Sequence, residues 1–162
     1  MSHLTVCLAD LRGQRTGRSV WCGPAVVARL LHCSYECAVE RIRTAGIANG
    51  RPYSQKRELS FTFLKDVQKA LLDGGVELGA EDSFFHALRR PTVAQWASDK
   101  PAGSFWFLLV TGHFEILKVG PAGIVQCYDS FREGQILTGK GRYSLRTRVS
   151  YAYQILNAPG LS

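Results

Sequence analysis

The chain has 162 residues, 46% of them hydrophobic and 20% charged, with 20 Lys and Arg against 13 Asp and Glu for a formal net charge of +7. That balance describes one globular domain, residues 1–162, able to bury a core without disulfide or metal staples, and it excludes a disordered chain. The longest apolar run, Phe105 to Val110, is far too short to cross a bilayer, and the basic residues are scattered without a nucleic-acid-binding motif; neither a membrane nor a nucleic acid is the expected partner.

The opening "MSHLTVCLADLRGQ" has no apolar core behind a basic start and no glycine after Met1. Neither a signal peptide nor a myristoyl group is expected, and the expected setting is cytoplasmic, where thiols stay reduced. Five cysteines at positions 7, 22, 33, 37 and 127 are odd in number and irregular in spacing, unlike a disulfide framework.

The first twenty residues read as polar and turn-rich, broken by Gly13 and Gly17. From Cys22 the pattern turns helical: Ala25, Val26, Ala28, Leu30 and Leu31 recur at helical spacing, and Pro24 falls in the first turn, where its missing N–H costs nothing. Ser34 reads as the N-cap of a second helix carrying Cys37, Val39 and Ile42 and ending near Gly46. Residues 48–60, with Gly50 and Pro52, read as a solvated loop that could also flank a cleft. Thr62 is the expected cap of a third helix, with Leu64, Val67, Leu71 and Leu72 on one face and Gly74–Gly75 as its stop.

"SFFHALRR" fits a short helix or a loop, and Thr92 opens a short helix that ends before Pro101. Beyond Gly103, "SFWFLLV" reads as a buried strand and "HFEILKV" as a half-exposed one; Pro121–Gly123 turns the chain into "IVQCYD", and "VSYAYQIL" alternates again. Short glycine-containing connections imply antiparallel pairing. Helices first and a sheet second make the class α+β. "KGRYSLRTR", residues 140–148, is the densest basic stretch and reads as a loop entering a strand, part of a solubilising surface.

A thiolate is stabilised at a helix N-terminus by the helix dipole and by unpaired backbone N–H groups, which marks Cys22 as a candidate nucleophile. Gly23 leaves room for a carbonyl to approach the backbone, and Trp21 is the aromatic best placed to line a substrate wall. Of the four histidines (3, 32, 86 and 113), His113 starts a strand directly after Gly112, which opens access to it. A base on a rigid strand end suits proton transfer. If Val119 pairs with Ile124 across the following hairpin, His113 falls opposite residue 130 and beside Asp129, which would then orient the imidazole.

"CGPA" opening an apolar helix, "GHFEIL" starting a strand and "YD" closing the next resemble the papain-like cysteine peptidases, and within them the bacteriocin-processing group. The resemblance implies a papain-like fold, a helical half packed on an antiparallel sheet, with Cys22 as nucleophile, His113 as base and Asp129 as orienting acid. It also implies an oxyanion-hole glutamine ahead of the cysteine. Gln14 is the candidate, at an interval of eight residues that is longer than usual; Ser19, Trp21 and the Cys22 N–H are the alternative donors. The function this implies is cysteine-dependent hydrolysis of a peptide or isopeptide bond through an acyl-enzyme thioester, on a protein or peptide substrate, with no cofactor and no metal. The alternatives are acyl transfer to an amine or glutamine deamidation by the same triad, or a non-catalytic binding module of the same fold. A bacterial or phage protein, or an effector delivered into a host cell, would fit; the oligomeric state is left open.

The remaining features read as structural. Cys33 and Cys37, beside His32, supply only half a zinc site and are expected to pack within the helical layer, as are Cys7 and Cys127. Phe61, Phe63, Phe84, Phe85, Phe105, Trp106 and Phe107 are expected in the core, with Trp96 partly so.

Overall fold

The computed structural model describes residues 3–53 and 58–162, so part of the 48–60 loop lies outside the described residues. The chain mixes helix and sheet and divides into two compact units, one running to Glu77 and taking in Asn157–Ser162, the other Leu78–Leu156. No helix of the described residues is long and apolar enough to cross a membrane.

The first unit carries four helices: α1 (Leu8–Gln14), α2 (Cys22–Leu31), α3 (Tyr35–Ala48) and α4 (Leu64–Asp73). α1 corrects the expectation of a turn-rich start. Leu8 and Leu11 bury one side of it, and Asp10 accepts hydrogen bonds from the Cys7 N–H at 3.1 Å and thiol at 3.0 Å. This closes the helix start as a capping box does, so Cys7 is a half-buried cap rather than a core thiol. α2 is buried from Gly23 to Leu31 and has Trp21 as its extended N-cap residue. The chain's C-terminal segment lies on it: Gly160 donates to the Leu30 carbonyl at 2.8 Å.

α3 starts as expected, with the Ser34 hydroxyl accepting from the Cys37 N–H at 3.1 Å. α4 does not, because its N-cap residue is Phe63 and not Thr62. The Thr62 side chain instead packs against Gly23, where a Cβ would meet its Oγ1 at 2.3 Å. Residues 49–53 are more than a solvated connection. Asn49 and the Tyr53 hydroxyl each donate to the buried Asp66 at 2.8 Å, and Arg51 pairs with it at 2.7 Å.

The second unit is built on a six-stranded sheet in the order β1-β6-β2-β3-β4-β5. Its strands are β1 (Glu77–Ser83), β2 (Phe105–Val110), β3 (His113–Val119), β4 (Val125–Tyr128), β5 (Glu133–Ile136) and β6 (Val149–Asn157), with α5 (Val93–Ala97) between β1 and β2. From β6 to β5 the neighbours run antiparallel. Thr92 caps α5 through its side chain, as the sequence predicts. "SFFHALRR" is neither helix nor strand beyond Ser83. β1 and β5 are polar and mostly exposed edge strands, so they lack the apolar alternation that marks a strand in sequence.

One sheet face carries Trp106, Leu108 and Val110 of β2, Leu117 and Val119 of β3, and Val125 and Cys127 of β4. Trp96 of α5 meets Trp106 edge-on at 5.2 Å and is 3% exposed, fully core rather than partly so. On the opposite face Phe107 stacks on Phe114 and Tyr153. Three of the expected core aromatics are exposed instead: Phe61, Phe63 and Phe85. Each lies outside a helix or strand, so no regular element carries it into a core. β3, expected half-exposed, is buried from His113 to Leu117, since it lies inside the sheet.

Candidate functional site

His113 is placed by a two-residue hairpin. Val110 pairs with His113, and the turn residues Thr111 and Gly112 both have positive φ, 46° and 76°. That geometry belongs to the turn whose twist suits a β-hairpin, and it explains the glycine at position 112. The imidazole is 3% exposed and lies between aromatic rings, Tyr143 stacked at 4.0 Å and Phe131 at 5.7 Å.

The hairpin from β3 to β4 differs from expectation by one residue. Val119 pairs with Val125, not Ile124, because the turn through Pro121–Gly123 takes in Ile124 as well. The difference decides the site. Opposed residues of an antiparallel pair share a face, and a one-residue slip turns every side chain over. With Val119 opposite Ile124, Asp129 would lie across from Phe114, on the wrong face for His113. In the observed register, residue 129 continues opposite Glu115, which shares the His113 face because strand side chains alternate.

Asp129 therefore meets His113: the Nε2–Oδ2 distance is 2.8 Å, and both residues are buried. Its other oxygen, Oδ1, accepts from the backbone N–H of Phe131 at 2.7 Å and of Arg132 at 2.8 Å. Arg132 Nη1 reaches Oδ2 at 3.1 Å. Burial pushes the Asp129 pKa up, but the hydrogen bonds from His113 and Phe131 and the nearby positive charges outweigh it and hold the carboxyl below its ordinary value. An ionised carboxylate only accepts, so Nε2 of His113 carries the proton it donates, and in the neutral ring the lone pair sits on Nδ1.

Glu115, Arg132 and Tyr143 complete this cluster and were not singled out from the sequence; Cys127, expected only as a packing thiol, joins them. Glu115 has a signal in hindsight: two residues from His113 on one strand, it must share its face. The Cys127 thiol donates to Glu115 at 3.5 Å, and Arg132 pairs with Glu115 at 4.0 Å. Burial is the main cause that lifts the Glu115 pKa to about 7. Tyr143 has no sequence signal, since a loop brings it from thirty residues away. His113, Glu115 and Asp129 each present a potential metal-binding atom within 4.8 Å of the others. Arg132 already supplies positive charge to both carboxylates.

The other candidate residues, Gly112 apart, belong to the helical unit. Cys22 is the first residue of α2 and is half-buried. The loop before it is held by Arg15, whose guanidinium donates to the Ser19 carbonyl at 3.2 Å and lies over the Tyr35 ring at 4.6 Å. The Trp21 N–H donates to the Tyr35 hydroxyl at 3.0 Å, while the indole N–H is buried with no hydrogen-bond partner among the described residues. Gln14 ends α1, and its Oε1 accepts from the Tyr35 N–H at 2.6 Å, satisfying one of the unpaired donors at the start of α3. Gly23 is buried against Thr62, a packing reason for its lack of a side chain. Gly112 has open space where a Cβ would be.

Two further thiols are chemically quiet. Burial and the neighbouring Cys37 raise Cys33 to about 12, and burial raises Cys127 well above the ordinary value. Cys33 and Cys37 are half-buried rather than packed fully within the helical layer. Compared with known proteins, the chain matches no family model and no curated protein.

Proposed function

We propose that the protein is a cysteine-dependent hydrolase of papain-like type, acting on a peptide or isopeptide bond in a cytoplasmic setting where its thiol stays reduced. The observation that carries this reading is the buried His113–Asp129 hydrogen bond, with the carboxylate held ionised and the Nδ1 lone pair defined by it. Cys22 supplies the nucleophile from the first turn of α2, where the helix dipole favours a thiolate. His113 takes the thiol proton at Nδ1 as sulfur attacks the carbonyl carbon, then gives it to the departing amine. Water, deprotonated by the same imidazole, cleaves the thioester and restores the thiol. The Cys22 N–H is an oxyanion donor supplied by the backbone itself, and the unpartnered Trp21 indole N–H is a second candidate. Gln14 has its carbonyl oxygen engaged at α3.

The test is thiol labelling. Iodoacetamide near neutral pH should modify Cys22 ahead of the other cysteines, with Cys33 and Cys127 as slow internal standards. His113→Ala should abolish that preference. Uniform slow labelling of all five would overturn the reading. One observation favours a second reading, a binding module that retains the pair without turnover: the imidazole is only 3% exposed between Tyr143 and Phe131. Labelling that is indifferent to His113→Ala would support that reading.

A further inference from the structure

A concave pocket of about 670 Å³ lies within the sheet unit, walled by Thr111 and by the loop from Gly139 to Thr147. Three of its lining residues are cations, Lys140, Arg142 and Arg146, and none is acidic. Several other cations sit against acids: Arg132 with Asp129, Lys100 with Asp82, Arg51 with Asp66. Among the described residues, no acid pairs with any of the three pocket cations. Like charges gathered without counter-charge raise the local potential and favour an anionic occupant.

The loop is held in place rather than free to spread those charges apart. Arg132 Nη2 donates to the Arg142 carbonyl at 2.5 Å, and the Leu145 N–H donates to Thr138 at 2.9 Å. The first-turn N–H groups of α5 donate to the Leu145 and Thr147 carbonyls. One lining residue outside the β2–β3 hairpin turn, Tyr143, has a positive φ of 51°. Such strain in non-glycine residues persists only where the surroundings over-determine it, and it gathers at binding sites.

The pocket also borders the imidazole. Tyr143 forms part of its wall and stacks on His113 at 4.0 Å, and Thr111 opens the turn that ends at His113. We infer that this pocket is a substrate subsite for a carboxylate-bearing peptide segment, in which Arg142 and Arg146, with Lys140, bind Asp or Glu side chains. The inference rests on the peptide-hydrolase reading of His113 and names the class of substrate for it. Guanidinium groups match carboxylates in a bidentate fork, and the volume suits one or two residues. A single-stranded nucleic acid would need several stacking rings along a groove. Here the pocket has one aromatic, Tyr143, already stacked on His113 and carrying the Arg142 guanidinium at 4.9 Å.

The experiment measures fluorescence anisotropy of labelled hexaglutamate, hexaglutamine and a twelve-nucleotide oligothymidylate with the full chain at low salt. Hexaglutamate should bind and hexaglutamine should not. The double variant Arg142→Glu with Arg146→Glu should weaken hexaglutamate at least tenfold, and Arg142→Gln with Arg146→Gln should weaken it less. Arg12→Glu with Lys65→Glu makes the same change in net charge on exposed helix positions and should leave binding within twofold. Equal losses in the two charge-reversed proteins, or tighter binding of oligothymidylate than of hexaglutamate, would overturn the inference. Cys22 labelling of the same proteins separates the two proposals. Hexaglutamate binding with an unactivated Cys22 leaves the subsite standing and removes the hydrolase, whereas an activated Cys22 with no charge-specific binding does the reverse.

Discussion

Glu115 is the residue whose ionisation works against the fold. It is fully buried, its Oε1 has no hydrogen-bond partner among the described residues, and its pKa is raised to about 7 chiefly by burial. Well below pH 4.5 the carboxyl is protonated in both folded and unfolded chains and adds no pH dependence to stability. Between about 4.5 and 7 the unfolded chain ionises first, so stability falls as pH rises, by on the order of 3 kcal/mol in all. Glu115→Gln removes that fall. Urea denaturation at pH 4.5 and pH 8 should show the variant losing less stability between the two than the parent, and parallel curves would contradict this account. Asp129 has the opposite sign: its lowered pKa contributes stability above its ordinary value that is lost as pH falls through the folded value. Asp129→Asn keeps the shape but replaces an obligate acceptor with a group that can donate, which permits the wrong imidazole tautomer. If His113 is the base, this variant should lose about 10²-fold or more in the rate of Cys22 labelling or turnover.

At the scale of elements, glycine substitutions discriminate between close packing and idle flexibility. A Cβ on Gly160 would meet the Arg29 carbonyl oxygen of α2 at 1.7 Å, backbone against backbone. Neither partner can swing aside as a side chain would, so Gly160→Ala should cost about 3 kcal/mol, the upper end for overpacking. Gly13 lies in α1 with nothing within 4 Å of where its Cβ would stand. Gly13→Ala should stabilise by about 0.5–1 kcal/mol through helix propensity. Thermal melts of the two variants should shift in opposite directions. The same contrast explains α1 as a surprise: its evidence lies in two buried leucines and a Cys7–Asp10 cap, while Gly13 argues locally for a break. Likewise Thr62 has the chemistry of a cap but is used for contact with Gly23, so the helix begins after Phe63.

Across the whole molecule, legibility followed the range of the interactions. Local rules sufficed for α2 from Cys22, for the Ser34 and Thr92 caps, and for β2, β3 and β6, whose apolar patterns carry their own period. They also sufficed to set His113 at the head of a strand, since "TG" before it makes the hairpin turn. Edge strands β1 and β5 escaped because they bury little and so have no pattern to read. The closeness of His113 and Asp129 was expected from a register one residue away from the true one, and only the true one sets both side chains on one face. The sequence by itself determined the class, helices followed by an antiparallel sheet, and which residues are the candidates for nucleophile, base and acid. The tertiary structure alone decided that Glu115 and Arg132 share the carboxylate cluster, that Tyr143 covers the imidazole, and that Lys140, Arg142 and Arg146 gather around one pocket. The physical reason is that periodicity and capping are set by neighbours within a turn of chain, whereas hairpin register and loop closure are set by contacts between distant residues.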